Sequence, residues 1–134
     1  MPQSAPLPYA LVIDPDATQQ YVVAQALQPY FKVVWCATLA DAPHMLRTHH
    51  PSLVLLELTH PEESTFTWIR ERRAESKYPR AYLTIVCLTD HSSVAHKVKA
   101  FQAGADDYLV KPIQTGTFLP HIRLLLRVSQ QQYR

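Results

Sequence analysis

The segment GADDYLVKP, residues 104–112, decides most of what the sequence indicates about the fold. Gly104 is of the residue type that most often ends a helix. The run DYLV at 107–110 is short and largely apolar, which is typical of a buried strand. Lys111 and Pro112 then end this run. The segment therefore predicts a helix end, a turn, a strand and a cation at the carboxyl end of that strand.

The rest of the chain repeats this alternation of short apolar runs and longer amphipathic segments. The runs have no polar face, which is the pattern of parallel strands covered by helices on both sides. Right-handed crossovers between such strands give an open doubly wound sheet. Asp16, Ser64 and Ser92 are the predicted N-caps of the first, third and fourth helices. We predict five βα units, with strands at 9–13, 32–36, 53–58, 82–88 and 107–110 and helices at 16–29, 39–50, 64–76, 92–104 and 117–129.

Composition limits the possible classes of protein. The chain has 134 residues, 47% of them hydrophobic and 18% charged, with a formal net charge of +2. This length and composition predict one domain that buries a real core. We place the domain at 9–129, between an N-terminal tail at 1–8 and a tail or linker stub at 130–134. The small net charge argues against non-specific nucleic-acid binding.

The cysteines and the apolar segments indicate the cellular compartment of the protein. Cys36 and Cys87 each lie within an apolar run, where a reduced cysteine acts as a small hydrophobic residue, so no disulfide framework is expected. The sequence shows no signal peptide and no apolar stretch near the ~18 residues that a membrane helix needs. We expect a cytoplasmic protein without membrane association.

Polar side chains stand at the carboxyl ends of the predicted strands, where sheets of this type bind their ligands. Asp14 follows the first strand, Glu57 lies in the third, Thr89 follows the fourth and Lys111 follows the fifth. We expect Lys111 to pair with Glu57 or Asp14, because one such pair at ~4 Å and an effective dielectric of ~20 contributes ~4 kcal/mol before desolvation. Asp16 and Thr89 have a structural alternative, which is to cap the helices that follow them.

Four segments resemble, in order and spacing, the receiver domain of two-component response regulators. They are LVIDPDATQQ (11–20), PSLVLLELTHP (51–61), IVCLTDH (85–91) and GADDYLVKP (104–112). The resemblance covers nearly the whole chain. It implies a flavodoxin-like, five-stranded parallel sheet in the order 2-1-3-4-5 with helices on both faces, and a signalling domain rather than an enzyme.

The resemblance also implies roles for the residues at the strand ends. In that family a strand-three Asp accepts a phosphoryl group from the phosphohistidine of a kinase, and two adjacent acids after strand one hold Mg²⁺. A hydroxyl and a lysine contact the phosphoryl oxygens, and a strand-five aromatic changes rotamer. Asp14 corresponds to the first acid, Thr89 to the hydroxyl, Lys111 to the lysine and Tyr108 to the aromatic. Tyr108 has the alternative of a plain strand aromatic.

Several positions depart from the family pattern. Glu57 replaces the phosphoacceptor Asp, and its extra methylene moves the carboxylate by about 1.5 Å, whereas an attack geometry tolerates ~0.5 Å. Pro15 replaces the second metal-binding acid, and Asp16 is an alternative stand-in for it. Asp90 replaces a small residue and narrows the entrance with a negative charge. The loop at 60–65 lacks the usual glycine.

These departures predict a pseudo-receiver, a non-catalytic protein-interaction domain that is not phosphorylated and needs no cofactor. Its expected partner is a histidine kinase or an effector or output domain. The alternative is a working phosphoreceiver that holds Mg²⁺ weakly through Asp14, Asp16 and Glu57. A third hypothesis, nucleic-acid binding through the basic stretch at 70–80, is weak. We expect contact with nucleic acid only through an output domain that these residues do not include.

Charged residues on helix four, strand five and helix five suggest a face for self-association. Lys97, Asp106, Asp107 and Arg127 carry complementary charges there. In receivers fused to winged-helix transcription factors, charges of this kind pair two domains symmetrically. The sequence therefore predicts a homodimer through this face.

Overall fold

A computed structural model describes residues 6–58, 61–75 and 83–131 of the chain. Five parallel strands form one sheet in the order β2-β1-β3-β4-β5, which confirms the predicted fold class. The strands are β1 (Tyr9–Ile13), β2 (Lys32–Cys36), β3 (Leu53–Glu57), β4 (Thr84–Thr89) and β5 (Asp107–Val110). The helices are α1 (Ala17–Leu27), α2 (Ala42–His49), α3 (Glu62–Ala74), α4 (Val94–Ala103) and α5 (Thr115–Gln131), with a 3₁₀ turn at Leu39–Asp41.

The two faces of the sheet bury separate apolar clusters. Residues such as Leu11 and Val54 face α2, α3 and α4, whereas their strand neighbours, such as Val12 and Leu55, face α1 and α5. All four of these side chains are fully buried or nearly so. Since a buried Leu or Val side chain contributes about 1.5–3 kcal/mol, the strands are fixed in register by both layers. This rigid sheet holds the polar residues at its carboxyl edge.

The helix starts agree with the sequence prediction only in part. Asp16 caps α1, as predicted, because its Oδ1 accepts a hydrogen bond of 2.9 Å from the Thr18 N–H. The prediction for Ser64 was wrong, since α3 begins two residues earlier. Ser93 and not Ser92 caps α4.

The ends of α5 and β4 also differ from the prediction. Residues 130 and 131, assigned to a tail, continue α5, and residues 132–134 lie outside the described part. The predicted fourth strand began at 82, which also lies outside it, and β4 extends one residue further than predicted, to Thr89. No helix in the described ranges is long and apolar enough to span a membrane.

Candidate functional site

A polar cavity of about 470 Å³ lies at the carboxyl edge of the sheet. The β1–α1 junction, the end of β3, the start of the β4–α4 loop and the residues after β5 form its walls. Its lining includes six of the seven residues that the sequence assigned to this site, namely Asp14, Pro15, Asp16, Glu57, Asp90 and Lys111. The parallel topology therefore brings together side chains that are far apart in sequence.

Lys111 forms the centre of this cluster. Its Nζ lies 2.9 Å from Asp14 Oδ2 and 2.5 Å from Glu57 Oε2, so the predicted pairing is confirmed for both acids. The three side chains are 10%, 3% and 14% exposed, respectively. Burial opposes the charged form of the lysine, but hydrogen bonds and charges from Glu57 and Asp14 outweigh burial and raise the pKa of Lys111. Lys111 is therefore held as a cation between two carboxyl groups.

Glu57 has a strongly perturbed carboxyl group. Burial raises its pKa to about 7 from an ordinary 4.5, and Lys111 only partly opposes this rise. A hydrogen bond with the Asp90 carboxyl and the charge of Asp14 raise it further. The same hydrogen bond lowers the pKa of Asp90, which is exposed. When Glu57 and Asp90 together hold one proton, the proton is therefore on Glu57, whose carboxyl group donates a hydrogen bond to the Asp90 carboxylate.

The two acids after β1, Asp14 and Asp16, already accept hydrogen bonds from other groups of this chain. Asp14 Oδ1 accepts the backbone N–H of Asp16 at 2.9 Å, and its Oδ2 accepts from Lys111. Asp16 uses its own Oδ1 to cap α1. Mg²⁺ requires several free oxygen ligands in octahedral geometry. The donor set at this site therefore fits Mg²⁺ poorly, because Lys111 and backbone N–H groups already occupy oxygens of Asp14, Asp16 and Glu57.

Thr89 and Tyr108 lie on the neighbouring strands β4 and β5, and both side chains are buried. The Tyr108 hydroxyl donates to the His91 carbonyl oxygen at 3.2 Å, and the His91 N–H donates to Thr89 Oγ1 at 3.2 Å. Burial raises the pKa of the Tyr108 hydroxyl, and the neighbouring Thr89 partly opposes this rise. Thr89 therefore ends a strand and joins a buried network, and it does not cap α4.

Two contributors to the site were missed in the sequence. His91 acts through its backbone, so its residue type gave no signal. Gln20 donates from Nε2 to the Asp14 carbonyl oxygen at 2.5 Å, which ties α1 to the end of β1. Glutamine is common in the first turns of amphipathic helices, so the residue type of Gln20 does not predict this hydrogen bond. The bond becomes evident only in the folded structure. Thr59 and His60, which follow Glu57 in the sequence, lie outside the described residues.

A family model described as the response regulator receiver domain matches residues 10–123. This chain belongs to that family. It is 32% identical over 118 residues to a probable transcriptional regulator, ycf27, of Porphyridium aerugineum, covering 87% of this chain and 47% of the relative. It is 29% identical over 117 residues to the transcriptional regulatory protein CusR of Escherichia coli K12, covering 87% and 50%. The receiver domain thus spans about half the length of these curated relatives.

Solved structures agree with the fold of this receiver domain. A response regulator from Thermotoga maritima superposes with a TM-score of 0.81 at 24% identity, covering 91% of this chain and 99% of that one. The BeF3-activated DrrB receiver domain gives a TM-score of 0.73 at 24% identity, with the same coverage. At these identities the likeness establishes the fold.

The four charged residues predicted to form a self-association face have different surroundings in this receiver domain. Asp106 turns inward, where its Oδ2 lies 2.8 Å from Arg73 Nη2 and accepts the Ile85 N–H at 2.8 Å. Asp107 pairs with His121 on α5. Lys97 is exposed on α4, whereas Arg127 lines a cavity with Tyr30, which follows α1. The assignment of Asp106 to a surface pair was therefore wrong, because a buried partner claims its carboxylate.

Proposed function

We propose that this receiver domain is a protein-interaction module whose state is not controlled by phosphorylation. The ion pair between Lys111 and Glu57 is the observation that carries the proposal. In the family that the chain resembles, this lysine contacts the phosphoryl oxygens. Here its ammonium is already engaged by two carboxyl groups in a nearly buried position. An incoming phosphoryl group would have to displace Glu57 from it.

The charge around the cavity supports the same proposal. Asp14, Asp16, Glu57 and Asp90 line it together with one ammonium, that of Lys111. A phosphate dianion that enters would meet excess negative charge, and like charges at short range are unfavourable. The alternative, a phosphoreceiver that uses Mg²⁺ at Asp14, Asp16 and Glu57, requires Asp16 to leave the α1 cap and Lys111 to release both acids.

Treatment with acetyl phosphate and Mg²⁺ tests this proposal directly. We expect intact-mass spectrometry to show no phosphoryl adduct on the wild-type chain, because the acceptor is displaced and its lysine is occupied. The matched variant P15D/E57D/D90A restores the residues of the family pattern, and we expect it to gain one phosphoryl group. A wild-type adduct that disappears in E57Q would contradict the proposal and support the phosphoreceiver alternative.

The buried position of Tyr108 supports a domain held in one state. In the family that the chain resembles, the corresponding aromatic changes rotamer on activation. Here the buried Tyr108 donates from its hydroxyl to the His91 carbonyl oxygen. A glutamate beside Lys111 imitates a phosphoryl group in part, with less charge and fewer oxygens. We infer a cytoplasmic signalling domain that presents a fixed surface to a kinase, an effector or an output domain.

The face formed by α4, β5 and α5 is the proposed partner surface, and homodimerisation through it is the simplest use. Val94, Val98 and Phe101 recur along α4 at helical spacing and are 78%, 48% and 41% exposed. Val110, Leu124 and Val128 add exposed apolar side chains on β5 and α5. Because Asp106 and Asp107 are engaged inside the domain, apolar contact and not charge pairing would carry this association.

Replacing Val98 by aspartate is expected to weaken dimerisation at least about tenfold, which corresponds to roughly 1.4 kcal/mol. A carboxylate buried in an apolar contact lacks a partner and loses hydration. Sedimentation equilibrium measures the dimer constant, and we expect little change between low and high salt. The control variant is K99D. Lys99 lies on the α3 side of α4, where its positive charge contributes to the lowered pKa of Glu63. A monomer at all concentrations, or equal effects of both variants, would contradict this surface.

A further inference from the structure

A second cavity, of about 430 Å³, lies near the amino ends of the strands, away from the Lys111 cluster. The segment between α1 and β2 supplies Tyr30 and Phe31 to its wall, and the second half of α5 supplies Arg123 and Arg127. A smaller adjoining cavity shares Tyr30 and both arginines. The sequence assigned Arg127 to a different face, so this cleft has no role in the function proposed above.

Arg123 is held in place by an aromatic ring. Its guanidinium carbon lies 4.5 Å from the centroid of the Tyr30 ring, which is a cation–π contact. Stacking on a ring uses the face of the guanidinium and leaves its N–H groups directed outward in the plane. The contact with the ring restrains Arg123, and a guanidinium in this position can bind a carboxylate or phosphate through two hydrogen bonds.

Arg127 brings a second positive charge to the same cleft. It lies one helical turn after Arg123, so the two like charges repel each other along α5. Neither arginine forms an ion pair with a carboxylate in the described ranges, and neither cavity has an Asp or Glu among its described lining residues. An anion that contacts both guanidinium groups would remove this repulsion. The rest of the wall is formed by the apolar side chains of Pro8, Phe31 and Leu126 together with Ser52.

We propose that the cleft of Tyr30, Arg123 and Arg127 is a docking site for an acidic segment of a partner protein. Carboxylates of that segment pair with the two guanidinium groups, while an apolar side chain beside them packs on the Pro8 and Phe31 wall. A nucleic-acid backbone fits less well, since it requires an extended basic stripe. Lys32, which begins β2 at the same edge of the sheet, lies over the Tyr9 ring, and the chain carries only +2 overall.

Titration of the full chain with defined probes tests this proposal. The probes are the peptide acetyl-EDFED-amide, its neutral counterpart acetyl-QNFQN-amide and a short DNA duplex of mixed sequence, all at physiological salt. NMR of the arginine side-chain Nε–H groups identifies which arginines bind. We expect the acidic peptide to shift the signals of Arg123 and Arg127 and the neutral peptide to shift neither. Binding should weaken as salt is raised, because the contacts are charge pairs at a solvent-exposed cleft.

Variants connect the binding to the proposed contacts. We expect R123A and R127A each to lower the affinity for the acidic peptide about tenfold or more. R123K retains the charge but not the planar fork, and we expect it to lose most of the affinity as well while keeping the fold. The control R47A, an exposed arginine on α2, should leave the affinity within about twofold.

Four outcomes would overturn the proposal. They are no binding of the acidic peptide, equal binding of the neutral peptide, affinity that R123A and R127A do not change, and binding of DNA through both arginines in preference to the peptide. Circular dichroism of each variant verifies that a lost affinity is not lost structure. The failure of this site would leave the Lys111 and Glu57 cluster untouched, because the acetyl phosphate assay measures that cluster separately.

Discussion

Replacing Arg73 by alanine is expected to lower the free energy of unfolding of this domain by about 3–5 kcal/mol, the cost of breaking a buried ion pair from one side. Arg73 extends from the last turn of α3 across to β4 and α4. Its Nη2 pairs with Asp106 at 2.8 Å, its Nε donates to the Gly104 carbonyl oxygen at 2.8 Å, and its Nη1 donates to the Leu83 carbonyl oxygen at 2.6 Å. One side chain of α3 therefore binds residues that directly precede β4, follow α4 and precede β5.

The expected loss is large because the partners of Arg73 cannot reach water easily. The Arg73 and Asp106 side chains are 20% and 13% exposed. Without the guanidinium, the Asp106 carboxylate retains the Ile85 N–H but loses its cation, and two carbonyl groups lose a charged donor. Gly104 lies against the same side chain, since a Cβ there would approach Arg73 Cγ to 2.7 Å.

Urea unfolding of R73A and R70A provides the comparison. Arg70 lies on the same helix and pairs with Glu63 at 2.8 Å, but the two side chains are 52% and 62% exposed. An exposed pair of this kind contributes about 0–1 kcal/mol, so we expect R70A to remain near the wild type. Equal stability losses in the two variants would show that the Arg73 contacts contribute no more to the free energy of unfolding than the exposed pair of Arg70 and Glu63.

This Arg73 network marks the limit of what sequence patterns reveal. The apolar runs predicted every strand, because strands covered on both faces have a distinctive composition, whereas the strand order followed from the resemblance to receiver domains. Arg73 and Asp106 are separated by 33 positions and carry no periodic signal. An acid before a strand was therefore assigned to the surface, although its carboxylate lies inside. The basic stretch at 70–80 contains Arg73, and its members Lys77 and Arg80 lie outside the described residues.

The candidate site was more predictable than the surface. Strands of a parallel sheet end at one edge, so Asp14, Glu57 and Lys111 had to converge there once the strands were correct. Their pairing then follows from opposite charge. The hydrogen bond between Glu57 and Asp90 depends on side-chain rotamers, and the network through His91 depends on backbone atoms. Neither is encoded in residue type or spacing.

Glu57 is expected to give the free energy of unfolding an unusual dependence on pH. Most carboxylates in folded proteins have lowered pKa values and stabilise the fold as pH rises. Burial raises the pKa of Glu57 to about 7 in the folded chain, against 4.5 for an ordinary glutamate. Between these values the folded state binds a proton that the unfolded state lacks, so stability falls as pH rises. The contribution is complete below pH 4.5 and is lost as pH passes through about 7.

The size of the effect follows from the shift, at about 1.36 kcal/mol per pKa unit, and is on the order of 3 kcal/mol. In the variant E57Q the side chain resembles a protonated Glu57 at every pH. The free energy of unfolding of E57Q should therefore not show the decrease that deprotonation of Glu57 causes in the wild type. Histidines and other titrating groups act in both proteins, and the difference between the two curves isolates Glu57. We expect the stability of E57Q relative to the wild type to increase steadily from pH 5 to about pH 7 and to level off above it.

Denaturant unfolding across this pH range measures the difference, and E63Q is the matched control. Glu63 lies in the exposed first turn of α3 and its pKa is lowered by Arg70, so E63Q should follow the wild-type curve above pH 5. Lys111 retains Asp14 in E57Q, which keeps the lysine paired. Parallel curves for the wild type and E57Q would mean that Glu57 is ionised throughout and that Lys111 outweighs burial. A diverging pair of curves would instead show that the position occupied by aspartate in the family pattern carries a protonated glutamate at mildly acidic pH.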